Sequence, residues 1–233
     1  MNTQYILHVV FEYGAYTIGT QLFLLARKRS RDVYTTEQRI RIFLGAAIGA
    51  LVGSHLLGLL ERPDLITSAV GMGLQFVAQK TIVGGLLGGL IGVEIAKKVH
   101  GYTSSSGDLM VFPLIVAMIV GRIGCHLGGI EDGTYGLATS LPWGVDVGDG
   151  VLRHPTNLYE ILFLIVLGIA LWSSTRVRTL PDGRLFQVFM TCYLVFRLCI
   201  EFIKPSFVVV AGCSSIQLAC VCGLLYYFFE FRK

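Results

Sequence analysis

The chain has 233 residues, 54% of them hydrophobic and only 15% charged, with a formal net charge of +4. A soluble domain carries about 25% charged residues, so a water-soluble globule is excluded. Apolar runs of about 18 or more residues recur, long enough to cross roughly 30 Å of hydrocarbon.

The pattern predicts an all-α polytopic membrane protein, one domain over 1–233, with seven transmembrane helices. They fall at about 4–26, 42–60, 81–98, 108–121, 157–173, 184–203 and 207–229. The first run is followed by several as strong, so it is expected to be a permanent span and not a removable signal. It carries Glu12-Tyr13-Gly14. Span two holds Gly45, Gly49 and Gly53; span three holds Gly84, Gly88 and Gly92, and beside them Gly85 and Gly89. Glycines four apart form a row on one helix face and let two helices approach closely in lipid; a thin wall beside a lipid-sized cleft is the functional alternative. Between these spans, Asp64 to Gln79 is only moderately apolar and is expected to lie at the interface as an amphipathic helix. Glu94, Lys97 and Lys98 read as a snorkelling set.

A polar, glycine- and acid-rich loop is predicted over 121–156. It leaves span four at Gly121-Arg122-Ile123-Gly124-Cys125-His126 and enters span five at Arg153-His154-Pro155-Thr156-Asn157-Leu158-Tyr159-Glu160. His154 is held extended by the proline after it, and Thr156 and Asn157 can cap the next helix. The six cysteines sit mostly in apolar runs, where a cysteine acts as a small hydrophobe. Cys220-Val221-Cys222 lacks the spacing of a metal pair, and no His/Cys cluster of ligand spacing stands behind it, so no metal is expected. His8 and His100 read as interfacial.

With the N-terminus outside, the cytoplasmic side receives Arg27, Lys28, Arg29, Arg31, Arg39, Arg41, Lys97, Lys98, Arg176, Arg178, Arg184, Arg232 and Lys233, which is 13 of the 19 basic residues. The positive-inside rule selects this orientation, with the C-terminus cytoplasmic and the 121–156 loop on the outer side. The inner cluster anchors to anionic headgroups and implies no nucleic acid.

Arg122 and Arg197 then lie about 20 Å outward along spans four and six, with His55 as far along span two, while Glu12 lies roughly 12 Å inward along span one. Glu160 opens span five, and Glu201 is one turn outward of Arg197. Ionisable groups from separate helices thus fall in the outer third of the bilayer. Such groups are costly in lipid unless they act. Guanidinium forks beside carboxylates at headgroup depth suit the phosphate of a lipid, although Arg197 and Glu201 at i,i+4 equally suit a structural ion pair. A histidine here can take a proton near neutral pH, with His154 the first choice and His126 the competitor.

Taken together, Gly121-Arg122-Ile123-Gly124, the run Arg153 to Glu160, and Arg197-Leu198-Cys199-Ile200-Glu201-Phe202 resemble the prolipoprotein diacylglyceryl transferase family. Tyr13-Gly14 and Gly84-Gly85-Leu86-Leu87-Gly88 are weaker matches. The resemblance implies a multi-pass enzyme of the bacterial inner membrane, with no metal or other cofactor. Its partners would be phosphatidylglycerol or a similar anionic phospholipid, surrounding membrane lipids and an acceptor protein at the outer face. It would move a diacylglyceryl group onto a lipobox cysteine thiol and release glycerol phosphate. By this likeness Arg122 and Arg197 would hold phosphate, Glu201 would fix Arg197, and the His154 to Glu160 motif would shape the acceptor side, with His154 the candidate base. Tyr13, Gly84, Gly85, His126, Glu131, Arg153, Tyr159 and Glu160 would contact substrate. The chain departs from the family at Cys125 and Gly128, where the family has asparagines, and at Val83, where it has a histidine. A hydroxyl acceptor on a glycan or lipid is therefore a second reading, and a non-enzymatic lipid-binding protein or transporter a third.

Overall fold

The computed structural model describes residues 3–30, 32–61, 79–210 and 212–232. Seven α-helices run through them: α1 (Thr3–Arg29), α2 (Thr36–Glu61), α3 (Ile82–His100), α4 (Val111–Gly128), α5 (Thr156–Val177), α6 (Arg184–Glu201) and α7 (Ser215–Glu230). Short 3-10 turns, Asp108–Met110 and Gly129–Asp132, flank α4. The described strands form two antiparallel hairpins, β1 (Val145–Asp146) with β2 (Leu152–Arg153) and β3 (Val208–Val210) with β4 (Cys213–Ser214).

Among the described residues, four helical stretches are long and apolar enough to cross a membrane: Ile6–Arg29, Thr36–Glu61, Asp108–Gly128 and Thr156–Val177. Ser215–Glu230 is apolar but shorter. Helix α2 leaves Leu44, Ile48 and Leu51 exposed, an apolar stripe at helical spacing that suits lipid and not water. The fold is that of a helical membrane protein.

The chain divides into two compact units, interleaved along the sequence. The first comprises Met1–Arg31, Ser105–Cys192 and Phe202–Pro205; the second comprises Asp32–Ser104, Tyr193–Glu201 and Ser206–Lys233.

In the first unit α1 lies against α4. A Cβ added at Gly124 would stand 2.5 Å from the Phe11 Cβ, and one at Gly19 would stand 3.1 Å from the Ala117 Cβ, so small residues set how closely the helices approach. The Asp108 carboxylate accepts hydrogen bonds from the backbone N–H of Gly183 at 2.7 Å and of Phe186 at 2.9 Å. It thereby satisfies donors left open where α6 begins.

In the second unit the two glycine rows interlock. A Cβ at Gly45, Gly49 or Gly53 would meet the carbonyl oxygen of Gly92, Gly88 or Gly84 at 2.6, 2.2 and 2.4 Å. The expected close approach is thus between α2 and α3, backbone on backbone. Thr81 caps helix α3, its hydroxyl accepting from the Gly84 N–H.

Four expectations need correction. Gly121 to His126 lies inside α4, which runs on to Gly128 and stops where Gly129 takes φ +62°. Glycines weaken a helix in water, but in lipid the backbone has no other partner and the helix persists. Residues 208–214 form the β3–β4 hairpin, because a valine run fits a strand as well as a span. Thr156 is the first residue of α5, and its hydroxyl donates to the Thr134 carbonyl in place of capping. Arg39 is buried and grips Asp32 with two nitrogens, at 2.8 and 2.7 Å, while stacking over Tyr34, so it is not a headgroup anchor. The interfacial helix expected over 64–79 lies outside the described residues except at Gln79.

Candidate active site

The first unit centres on Arg122, on α4, which is 6% exposed. Its Nη2 stands 2.9 Å from Oε2 of Glu160, in the first turn of α5 and 2% exposed. Its Nη1 donates to the Cys125 sulfur at 3.8 Å. Two charges this deeply buried are tolerable only as a pair, since each alone would cost several kcal/mol of lost hydration. The pairing explains why a glutamate opens α5.

His154 lies just before α5. Its backbone is locked by Leu137, which accepts from the His154 N–H, and by the Gly136 N–H, which donates to the His154 carbonyl, each at 3.0 Å. A Cβ at Gly136 would come within 2.6 Å of the His154 Cβ, so this crossing demands glycine. His154 Nδ1 lies 3.2 Å from the Tyr159 hydroxyl, which in turn accepts from Trp143 Nε1 at 2.8 Å. Trp143, Tyr159 and His154 form one chain; the tryptophan is a member that sequence reading missed, since an exposed loop tryptophan carries no pattern.

Arg153, one residue earlier, holds the loop together. Its Nε and Nη2 both donate to Asp149 Oδ2, at 2.9 and 2.6 Å, and its guanidinium stacks 4.9 Å from the Tyr135 ring. The hydrogen bond from Arg153 holds the Asp149 carboxyl below its ordinary range. His126 lines a cleft of about 300 Å³ between the end of α4 and residues 145–148.

Tyr13 is 68% exposed on α1, edge-on to Tyr16, whose hydroxyl donates to Glu12. The Glu131 side chain lies outside the described side chains. His8, set aside as interfacial, instead stands with Nδ1 2.8 Å from Asp132 Oδ1 and Nε2 3.6 Å from Glu12 Oε2.

In the second unit Arg197 is 4% exposed and its Nη2 donates to Glu201 Oε2 at 3.2 Å. The Ser214 hydroxyl donates to the other oxygen of Glu201 at 3.2 Å and accepts from the Gln217 N–H, while Gln217 Oε1 accepts from the Ser214 N–H. This capping box ties the Arg197–Glu201 pair to the start of α7. Sequence reading missed both residues, although Ser-x-x-Gln before an apolar run is a legible signal. Replacing Ser214 by alanine is expected to cost about 1 kcal/mol, read as a lowered Tm of the purified protein.

Gly84 is buried against Gly53, and its lack of a side chain is explained by helix packing alone. At Gly85 a Cβ would meet only ordinary contacts at 3.7 and 3.9 Å. Val83, where the sequence likeness leads one to expect a histidine, is 1% exposed. His55 Nδ1 pairs with the Gln79 carbonyl at 3.0 Å.

Each unit carries a buried arginine–carboxylate pair, and the first also holds a histidine bonded to tyrosine; groups of this kind suit an anionic substrate and a proton transfer. Comparison with known proteins points the same way. The family model described as prolipoprotein diacylglyceryl transferase matches residues 9–230. Proteins named phosphatidylglycerol–prolipoprotein diacylglyceryl transferase are among the similar sequences. That of Clostridium tetani is 28% identical over 84% of this chain and 81% of its own length. That of Methylococcus capsulatus is 31% identical over 82% and 76%. That of Nitratidesulfovibrio vulgaris is 34% identical over 74% of this chain, which spans just under two thirds of it, 64%. Since the matched stretch contains Arg122, the His154–Glu160 run and Arg197–Glu201 together, the chain belongs to the prolipoprotein diacylglyceryl transferase family.

Proposed function

We propose that this chain transfers the diacylglyceryl group of phosphatidylglycerol to the thiol of a prolipoprotein lipobox cysteine. The observation that carries the reading is the family match over residues 9–230, which embraces Arg122, the His154–Glu160 run and Arg197–Glu201. In this reaction the acceptor sulfur attacks the glyceryl carbon that bears the phosphate. The carbon–oxygen bond breaks, glycerol phosphate leaves with the electron pair, and the thiol proton passes to a base.

Arg122 and Arg197 serve the phosphate, each in its own unit. Glu160 supports the role of Arg122 by holding its charge in a buried setting, and Glu201 with Ser214 does so for Arg197. A fixed guanidinium in low dielectric stabilises charge gathering on a leaving oxygen far better than a hydrated one.

His154 is the base. Its useful tautomer keeps the proton on Nδ1, donated to Tyr159, so that Nε2 takes the thiol proton. A phenol oxygen has two lone pairs and can accept from Trp143 and His154 together. Val83 leaves no histidine at the start of α3 to compete for this task. His126 and the cleft beside it are assigned to the acceptor segment. Tyr13, Gly85, Arg153 and the loop residue Glu131 are assigned to the margins of the substrate path.

The protein spans the bacterial inner membrane seven times, N-terminus outside and C-terminus cytoplasmic, with the 129–155 loop on the outer side. The bias of basic residues, 13 of 19 on one side, supports that orientation. The test is conversion: membranes holding the protein, given phosphatidylglycerol and a lipobox peptide, yield a diacylglyceryl thioether and glycerol phosphate. Lipid consumption with a hydroxyl-linked product, or no product at all, overturns the assignment.

A further inference from the structure

We infer that His8, Cys125 and Asp132 form a binding site for a zinc-type divalent cation. Their ligand atoms, the imidazole nitrogen, the thiol sulfur and a carboxylate oxygen, all lie within 4.8 Å of one another. They come from three elements of the first unit: α1, α4 and the Gly129–Asp132 turn.

Zinc takes nitrogen and oxygen ligands at about 2.0–2.2 Å and sulfur at about 2.3 Å, so a tetrahedral ion spreads its ligands roughly 3.3–3.8 Å apart. The trio brackets that spacing. His8 Nδ1 and Asp132 Oδ1, at 2.8 Å, need only part slightly, and the sulfur moves inward. Three protein ligands leave a fourth position for water or another ligand, as in open zinc sites.

The surroundings are what such a site requires. A ligating imidazole is normally oriented by a carboxylate on its other nitrogen, and Glu12 Oε2 stands 3.6 Å from His8 Nε2. Glu12 is itself bonded by the Tyr16 hydroxyl, and the second oxygen of Asp132 accepts from Thr134. Gly128 makes the room, since a Cβ there would stand 3.1 Å from the Asp132 Cβ and 3.7 Å from His8 Nδ1. Charge also fits: a thiolate and a carboxylate neutralise a divalent ion, while the nearby Arg122 charge is matched by Glu160. The His8 side chain is 28% exposed, so an ion can enter, whereas that of Asp132 is 4% exposed and fixed. The bound ion would staple α1 to the end of α4, beside the arginine assigned to phosphate.

The site is read without substrate, so its test is independent of the transfer reaction. Protein in detergent, stripped with a chelator, is titrated with Co²⁺ and then Zn²⁺. One Co²⁺ per chain is expected, with the visible bands of a four-coordinate ion and a thiolate-to-cobalt charge-transfer band, all lost on adding Zn²⁺. Cys125→Ser should remove the charge-transfer band, and Glu12→Gln should weaken binding about 10- to 100-fold. Where Cys125→Ser does not elute as a folded species, His8→Gln decides: loss of stoichiometric Co²⁺ uptake supports the site. No stoichiometric uptake by the unaltered protein, a charge-transfer band that survives Cys125→Ser, or unchanged uptake by His8→Gln overturns it.

Discussion

Arg122→Ala is expected to lower diacylglyceryl transfer by at least about 10²- to 10³-fold, the scale of losing one preorganised donor at a developing oxyanion. It is also expected to destabilise the protein by about 3–5 kcal/mol, because Glu160 keeps its buried carboxylate and loses its guanidinium. A single variant therefore confounds chemistry with folding. Arg122→Met combined with Glu160→Leu separates them. Replacing both members of a buried pair by apolar residues of similar volume is commonly neutral or stabilising, so this double variant should regain the lost Tm. It should regain no activity. The measurement is a thermal melt and a transfer assay on the single and the double variant side by side. A double variant that transfers as well as the unaltered protein would show that the pair only braces α4 against α5, and the phosphate assignment would fall.

What the sequence makes legible follows from how each feature is encoded. The glycine rows of α2 and α3 are local: a four-residue repeat is the helix repeat itself, and each row predicts its own face. Arg197 and Glu201 are legible for the same reason, one turn apart on one helix. The extent of α4 is less so. Gly121 and Gly124 read as punctuation on scales drawn from water, while in the protein they lie along the face that α1 packs on, Gly121 near Ala15 and Gly124 where Phe11 fits. The β3–β4 hairpin was hidden because Phe207 to Val210 has no polar residue to reveal a period of two. The His8–Asp132 contact is not encoded locally at all. The two residues lie in separate sequence segments of the first unit, Met1–Arg31 and Ser105–Cys192, and the packing of α1 on α4 joins them. The Arg39–Asp32 pair shows a further limit, since charge counting treats an arginine near a helix end as exposed.

Gly49→Leu and Gly88→Leu are expected to be among the most destabilising single changes in the second unit. A Cβ at either position would stand 2.2 Å from the carbonyl oxygen of the other glycine, and the obstacle is backbone, which cannot swing aside as a side chain can. Even the alanine variants must push α2 and α3 apart, and overpacking of this kind costs about 1–3 kcal/mol. Leucine must separate the helices further and strip the dispersion contacts along the whole seam, so it should leave little folded protein. The controls lie one position further along α3. Gly85→Ala and Gly89→Ala add a Cβ whose nearest neighbours stand 3.7 and 3.6 Å away, at ordinary van der Waals distance. They should melt within about 0.5 kcal/mol of the unaltered protein. Because Gly49 and Gly88 face one another, the paired alanine variant should cost less than the sum of its singles: once one methyl has parted the helices, the second finds room. Melts of the four alanine single variants and the pair decide the matter. Equal losses at Gly85 and Gly88 would mean that the α2–α3 seam does not set the cost at these positions, and equal gains would mean that helix propensity, which favours alanine over glycine, sets it.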